Sequence, residues 1–283
     1  MAPLSPTVAR WELVLRLREL RERRGFDSAT FARRAGFTPA NWSHVEKGRR
    51  VLTANSIGPV LDLLDVSAAE RAELLTLLAT GRERGWWAGA AALIGPELQR
   101  YYGLEYGAAT IRSYDSLVLP GLLQTEDYAR ALIRADVTIR PVQVEQLVEV
   151  RMRRQRRLRG ADRAELIALV GEASLLQQVG GPKVLRGQLE YLAGLIDELD
   201  TVEVRVLPFR GETGAVLGGS GFHLLDFASP TLPTFGWSEG SLIGGAVENT
   251  DRLGDLGFAY RRALEGSLGR ADSLALIRRY ARA

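Results

Sequence analysis

The sequence predicts two parts of different class, an all-α unit of five helices over residues 1–80 and an α+β domain over residues 95–283, joined by a junction at 81–94. Three observations lead there. The first 80 residues carry apolar positions at three- and four-residue spacing, punctuated by Ser, Thr and Gly at intervals that suit helix starts and stops. Beyond about residue 95, helical stripes alternate with short runs rich in Val, Ile and Leu. Charge is also divided unequally: residues 1–50 hold 11 Lys+Arg against 5 Asp+Glu, residues 51–80 hold 1 against 4, and residues 81–283 hold 25 against 25. The net charge of +3 therefore belongs to the first part alone.

The first helix is expected from about Val8 to Arg24, with Leu13, Leu17 and Leu20 on one face. Glu12–Arg16 and Glu19–Arg23 then form exposed i,i+4 pairs, and Gly25 ends the helix. Residues 28–50 read as two short helices pivoting on Gly36. Phe31, Ala32, Ala35, Phe37, Trp42 and Val45 can close a small core, while Ala40, Asn41, His44 and Lys47 share the opposite face of the second helix. Thr38 can cap that helix's orphan amides, and Pro39 takes the first helical position, where its missing N–H costs nothing. Gly48 stops it, with Arg49 and Arg50 following. A fourth helix from Thr53 carries Ile57, Val60, Leu61 and Leu64, and a fifth from Ser67 carries Leu74, Leu75 and Leu78.

Two helices about a glycine turn, the second apolar inside and bearing short donors outside, make a helix-turn-helix of the shape that lies in a DNA major groove. A basic head on a neutral body fits, because neutralising phosphates and releasing their counterions supplies most non-specific DNA affinity. The plainer alternative is a helical hairpin whose arginines merely solvate it. The coincidence of turn, cap, stop and charge in one short stretch argues against that.

From Thr80 the chain becomes rich in Gly and Ala. Trp86 and Trp87 there are read as buried packing between the domains, with ligand or DNA stacking as the sharper alternative. Thr110–Tyr114 is a strand candidate, and Thr125 caps a helix whose first turn holds Glu126 and Asp127. A long helix is expected from about Pro141 to Leu158. Leu166–Val170 reads as a buried strand, and Pro182 opens a helix striped by Leu185, Leu189, Leu192 and Ile196. Thr201–Leu207 alternates as a strand with one wet face. Gly218–Gly221 turns into a strand at Phe222–Phe227, and helices near 247–266 and 272–282 close the domain.

Composition narrows the chemistry. With 46% hydrophobic and 25% charged residues the chain is that of an ordinary soluble globular protein. It has no membrane-length apolar run and no signal-peptide pattern, so a cytoplasmic location without membrane attachment is expected. The absence of Cys removes disulfides and thiolate chemistry. The two histidines, His44 on the presumed DNA face and His223 in a strand-like segment, leave little material for a His-based metal site or a Ser-His-Asp triad. The stretch Gly211–Gly221 lacks the Gly-Lys-Ser/Thr ending of a P-loop and leads into a strand, so it reads as a hairpin connection. Glu172, Asp226 and Glu248 stand out no more than any carboxylate does, and no acid–base pair can be singled out. No enzymatic activity, cofactor or metal is expected. The run Arg151–Arg159 reads as an amphipathic helix, with Val144, Val148, Met152, Gln155 and Leu158 inward and most arginines outward, paired with the domain's carboxylates. A second DNA-backbone contact or a face for an acidic partner is the alternative.

Residues 10–80, in the order and size of their five helices, resemble the lambda-repressor-like or xenobiotic-response-element-like DNA-binding domain. A wider resemblance rests on Trp86-Trp87, Tyr102 with Leu104-Glu105, Leu119-Pro120-Gly121-Leu122-Leu123-Gln124-Thr125 with Tyr128-Ala129-Arg130, Arg151 with Arg154-Gln155, and Val206-Leu207-Pro208-Phe209. These resemble the WhiJ-like family of actinobacterial regulators, which join such a head to a C-terminal domain of uncharacterised chemistry. Thr234–Gly240 departs from the family pattern, where a more regular strand would be expected.

The resemblance implies transcriptional control, with a small partner protein bound by the C-terminal domain, sometimes likened to a toxin–antitoxin pair. Because helix-turn-helix proteins gain half-site spacing and avidity on double-stranded DNA from two-fold symmetry, the neutral C-terminal part with its apolar stripes is expected to form a homodimer and to receive a small partner protein or a small-molecule effector. In the repressor-like pattern Pro39, Ala40 and His44 fall at base-reading positions, Lys47 and Arg50 lie toward phosphates, and Ser28 starts the preceding helix. Long amide side chains are usual at the first two of these positions. Readout here should therefore lean on His44 and Asn41, with Ala40 available to a thymine methyl. The full DNA-facing set is Ser28, Thr38, Pro39, Ala40, Asn41, Ser43, His44, Lys47, Arg49 and Arg50. An enzyme directed to DNA by this head, or an antitoxin-like interaction module, are the competing readings.

Overall fold

The computed structural model describes residues 3, 5–210, 221–240 and 244–282. The Gly-rich connection 211–220, and with it most of the expected turn at 218–221, lies outside the described residues. The chain divides into two compact units, one of Pro3–Ala88 with Ser229–Pro233 and the other of Gly89–Ala228 with Thr234–Ala283. Among the described residues no helix is long and apolar enough to cross a membrane.

In the N-terminal unit, α1 (Pro6–Arg23), α2 (Ser28–Arg34), α3 (Pro39–Glu46), α4 (Ala54–Leu64) and α5 (Ala68–Gly81) each begin on a side-chain cap, supplied by Ser5, Asp27, Thr38, Thr53 and Ser67 respectively. Each hydroxyl or carboxylate accepts from an amide that has no partner within its own helix. The first helix thus starts two residues before the expected Val8, because Ser5 caps it and Pro6 suits its first turn. The core gathers Leu13, Leu17 and Leu20 of α1 with Phe31, Trp42, Val45, Ile57, Val60, Leu61, Leu64 and Leu74. Two expectations are corrected. Leu75 is 40% exposed and Leu77 takes its place in the core, since the inward stripe of α5 runs 74, 77, 78. Arg16 reaches across to Glu70 and Glu73 of α5, at 3.6 and 2.9 Å.

A short 3-10 turn at Trp86–Ala90 follows, with Trp87 buried against the Gly85 backbone, where an added Cβ would come within 2.2 Å of the indole. The C-terminal unit then runs α6 (Pro96–Gly107), β1 (Thr110–Asp115), α7 (Glu126–Ala135), α8 (Val144–Gln155), β2 (Glu165–Gly171), α9 (Pro182–Glu198) and β3 (Val202–Leu207). It ends with β4 (Phe222–Asp226), β5 (Phe235–Ser238), β6 (Gly245–Val247), α10 (Thr250–Glu265) and α11 (Arg270–Ala281). Sheet order is β3-β2-β1-β4-β5-β6, with β1, β2 and β3 mutually parallel and the pairs from β1–β4 to β5–β6 antiparallel. The architecture is α+β as expected. Helices carry the chain between the parallel strands, whereas β4, β5 and β6 follow one another through short connections.

One face of this sheet packs Tyr114, Leu169, Phe222 and Leu224 with Tyr260 and Ala263 of α10. The other face carries Ser113, Asp115, His223 and Trp237, placed there by the register Ser113↔His223 and His223↔Trp237. Helix α6 has no counterpart in the sequence reading, although Pro96 at its start and Glu97 in its first turn are helix-opening signals. Strand β5 supplies the regular strand that Thr234–Gly240 seemed to lack on paper.

The loop Leu119–Thr125 is clamped from three sides. Gln155 Nε2 donates to the Gly121 and Gln124 carbonyls, Gln188 of α9 bonds the Leu123 carbonyl and the Thr125 amide, and Arg151 donates to Gln124 Oε1. Here the reading of the arginine run is corrected. Arg153, Arg156 and Arg159 face outward, but Arg154 and Arg157 are buried and Arg151 is half-buried. Arg157 donates to the carbonyls of Tyr106 and Ala108 at 2.7 and 2.8 Å. It thereby satisfies acceptors at the end of α6 that the helix leaves without partners.

Candidate functional site

The local geometry of the N-terminal unit sets what α3 can present. Gly36 takes φ +81° between α2 and α3, a conformation that an L side chain rarely adopts, and so lets the second helix leave at a sharp angle. Trp42 and Phe31, both fully buried with ring centroids 4.9 Å apart, pin the inner face of α3. The far end is held by Glu46. Its Oε1 accepts from Arg21 Nε at 2.6 Å, its Oε2 from the Ser28 hydroxyl at 2.8 Å, and its carbonyl from Arg18 at 2.6 Å. Charge-assisted bonds from α1 and a hydroxyl from α2 thus converge on the last residue of α3.

With the inner face fixed, the outer face follows from helical spacing. Thr38, Pro39, Ala40, His44, Lys47, Arg49 and Arg50 are exposed, and Asn41 and Ser43 are half-buried. Ala40, His44 and Lys47 form one stripe, with Asn41 beside it. Two residues of the expected set have commitments elsewhere: the Thr38 hydroxyl accepts from the Asn41 amide at 3.2 Å, and the Ser28 hydroxyl is given to Glu46. The amides of Arg49 and Arg50 both donate to the His44 carbonyl, which draws the basic pair in at the helix C-terminus.

A second constellation lies in the C-terminal unit. Arg154 donates from Nε and Nη2 to the two oxygens of Glu105 at 2.8 and 2.7 Å, a fork-on-fork pair that is almost completely buried. The guanidinium lies 4.4 Å from the Tyr102 ring centroid. Tyr101 contacts Glu105 Oε2 at 2.9 Å and His223 Nδ1 at 2.6 Å, and stacks on Trp237 at 4.8 Å. The other ring nitrogen, His223 Nε2, is 3.3 Å from Glu239 Oε1, and the Glu239 amide is tied to the Gly221 carbonyl at 2.7 Å. Burial alone would raise Glu105, but the charge and hydrogen bonds of Arg154 outweigh it and hold the carboxyl below its usual range. Burial, then the charge of Glu239, pushes Asp115 well up. Burial drives His223 down, against the pull of Glu239 and Glu105.

Residues 98–279, the greater part of the chain, match the family described as Domain of unknown function (DUF5753). The chain belongs to this family. Residues 12–74, from within α1 to the middle of α5, match a helix-turn-helix domain, so the basic N-terminal unit is a DNA-binding type of head on a DUF5753 domain. No curated protein and no solved structure matches the chain.

The polar cluster of the DUF5753 domain escaped sequence reading. Its members come from α6, α8, β1, β4 and the end of β5, and no local spacing joins them. Two signals were present: a Glu105 within an otherwise aromatic turn, and an arginine run too long for one solvated face. The three carboxylates weighed from sequence have structural partners instead: Glu172 accepts from the Phe209 amide, Asp226 pairs with Arg112 and Glu248 with Arg100.

Proposed function

We propose that the chain is a sequence-specific, DNA-binding transcription regulator of the WhiJ-like actinobacterial kind, acting as a homodimer. Its DUF5753 domain holds the dimer together and receives a small partner protein or a small-molecule signal. The exposed stripe Ala40–His44–Lys47 inside a helix-turn-helix carries this reading. In it His44 and Asn41 hydrogen-bond base edges, Ala40 meets a thymine methyl, and Pro39 and Ser43 line the groove. Lys47, Arg49 and Arg50 meet phosphates, while Thr38 and Ser28 serve the helix and its Glu46 anchor. The charge division supports the same assignment, since residues 1–80 hold the whole net charge of +3.

An enzyme directed to DNA draws on the convergence of Glu105, Arg154, Tyr101 and His223. Those groups are bonded to one another, which favours the regulator. Selection of bound duplexes from a random pool, with the full chain, tests the proposal together with sedimentation. The expected product is a two-fold symmetric site with half-sites about 34 Å apart or a multiple of it, bound by a dimer. Enrichment of no sequence, or a chain that sediments as a monomer on its site, defeats it. Among fragments, 89–283 should be dimeric and leave DNA unshifted.

A further inference from the structure

The DUF5753 domain contains an arrangement for which DNA reading has no use. Asp115 ends β1, His223 lies on neighbouring β4, and Glu239 follows β5. Each offers one ligand atom, and the three atoms all lie within 4.8 Å of one another. Asp115 and His223 are 4% and 1% exposed, yet among the described residues Asp115 Oδ2 and His223 Nε2 have no hydrogen-bond partner. Buried polar atoms left in this state are costly, and two in one three-residue cluster need a common explanation.

Counting protons supplies it. Glu105, doubly bonded to Arg154, can only accept. Tyr101 has one proton for two contacts, so it donates to Glu105, and the 2.6 Å contact with His223 Nδ1 must take its hydrogen from the ring. That tautomer leaves Nε2 with its lone pair, 3.3 Å from Glu239 Oε1. Nε2 then turns its lone pair toward the carboxyl groups of Asp115 and Glu239, which gathers three ligand atoms at one place. A cation between them would be ligated by all three.

We infer that Asp115, His223 and Glu239 bind a divalent transition-metal cation, with water completing its coordination. Two carboxylates and a neutral imidazole balance a dication, and the ring nitrogen favours a Zn2+-like ion over Mg2+ or Ca2+, which take oxygen ligands. Metal–ligand bonds of about 2.0–2.2 Å put tetrahedral neighbours about 3.4 Å apart. His223 Nε2 and Glu239 Oε1 already stand 3.3 Å apart, and the Glu239 side chain is 45% exposed. Gly221 packs close against the site, since a Cβ there would meet the Tyr114 carbonyl at 2.9 Å and Asp115 Oδ1 at 3.2 Å. Behind the ligands, Tyr101, Glu105 and Arg154 form the outer shell that fixes the ring's tautomer.

The test is calorimetric titration of the full chain, stripped by chelator, with Zn2+, and again with Mg2+ and Ca2+. One equivalent of Zn2+ should bind. Glu239→Gln, a near-isosteric change at a half-exposed position, should weaken uptake at least about tenfold, and Tyr101→Phe by about 10- to 100-fold. Co2+ provides a readout independent of any variant, since nitrogen and oxygen ligation in the site gives a visible spectrum distinct from that of the aqueous ion. No stoichiometric Zn2+ uptake, equal affinity in Glu239→Gln, equal binding of Mg2+, or an unchanged aqueous Co2+ spectrum would each overturn the site.

Discussion

Arginine is put to opposite uses in the two units. At the end of α3, Arg49 and Arg50 stand in solvent, where a polyanion can reach them. At the end of α8, Arg154 and Arg157 point inward and spend their donors on Glu105 and on the carbonyls of Tyr106 and Ala108. Sequence alone shows two similar basic runs. The difference lies in what each helix packs against: α3 buries an aromatic face and leaves its charges outside, whereas α8 lies over the end of α6, whose buried acceptors require donors. A charge run is therefore a binding surface only where the neighbouring backbone is already satisfied.

The largest effect expected from this contrast is on stability. Arg154→Ala strands the Glu105 carboxylate in the interior and should cost about 3–5 kcal/mol in urea unfolding, as for other broken buried pairs. Arg159→Ala removes an exposed partner of Glu198 and should leave the unfolding midpoint where it was. Similar losses in the two variants would erase the distinction. The same pair has a pH signature. Because the folded state holds Glu105 below its ordinary value, the stability it contributes is present above the ordinary glutamate range and disappears as pH falls through the depressed value. Unfolding measured down that limb should steepen in the native chain, and the step due to Glu105 should be absent from Arg154→Ala.

A smaller effect is expected at the DNA face, and it should be selective. His44→Ala should cost about 1–3 kcal/mol on the selected site and little on random duplex. Equal losses on both would move His44 among the phosphate contacts. Smallest per residue is the change at Lys47 or Arg50, where alanine should weaken every duplex alike and lower the salt slope by about one. A gel-shift series across salt concentrations reads this directly, and a sequence-selective loss at either position would place it among the base readers.

Much of the fold was legible from residues close to one another along the chain. Thr38, Thr53, Ser67 and Thr125 each announced a helix, and each caps one. The alternation of Val202, Val204 and Val206 announced β3, and all three are buried. Where the local signal is weak, the sequence leaves the element undecided. Helix α6 hid behind the Gly- and Ala-rich stretch that precedes it, and Leu75 looked as apolar as Leu77 until the neighbours of α5 chose between them.

The helix-turn-helix is the part for which sequence suffices: its turn, cap, core and outer face fall within residues 28–50, so helical periodicity alone sorts inside from outside. The polar cluster of the DUF5753 domain is different. Glu105, Asp115, Arg154, His223 and Glu239 come from five segments and meet because the β1–β4 register and the packing of α6 and α8 bring them to one face of a sheet. Periodicity says which way a side chain points from its own element. Which buried acceptor it finds there, and whether a lone pair is left over, depends on contacts that exist only once the strands have paired.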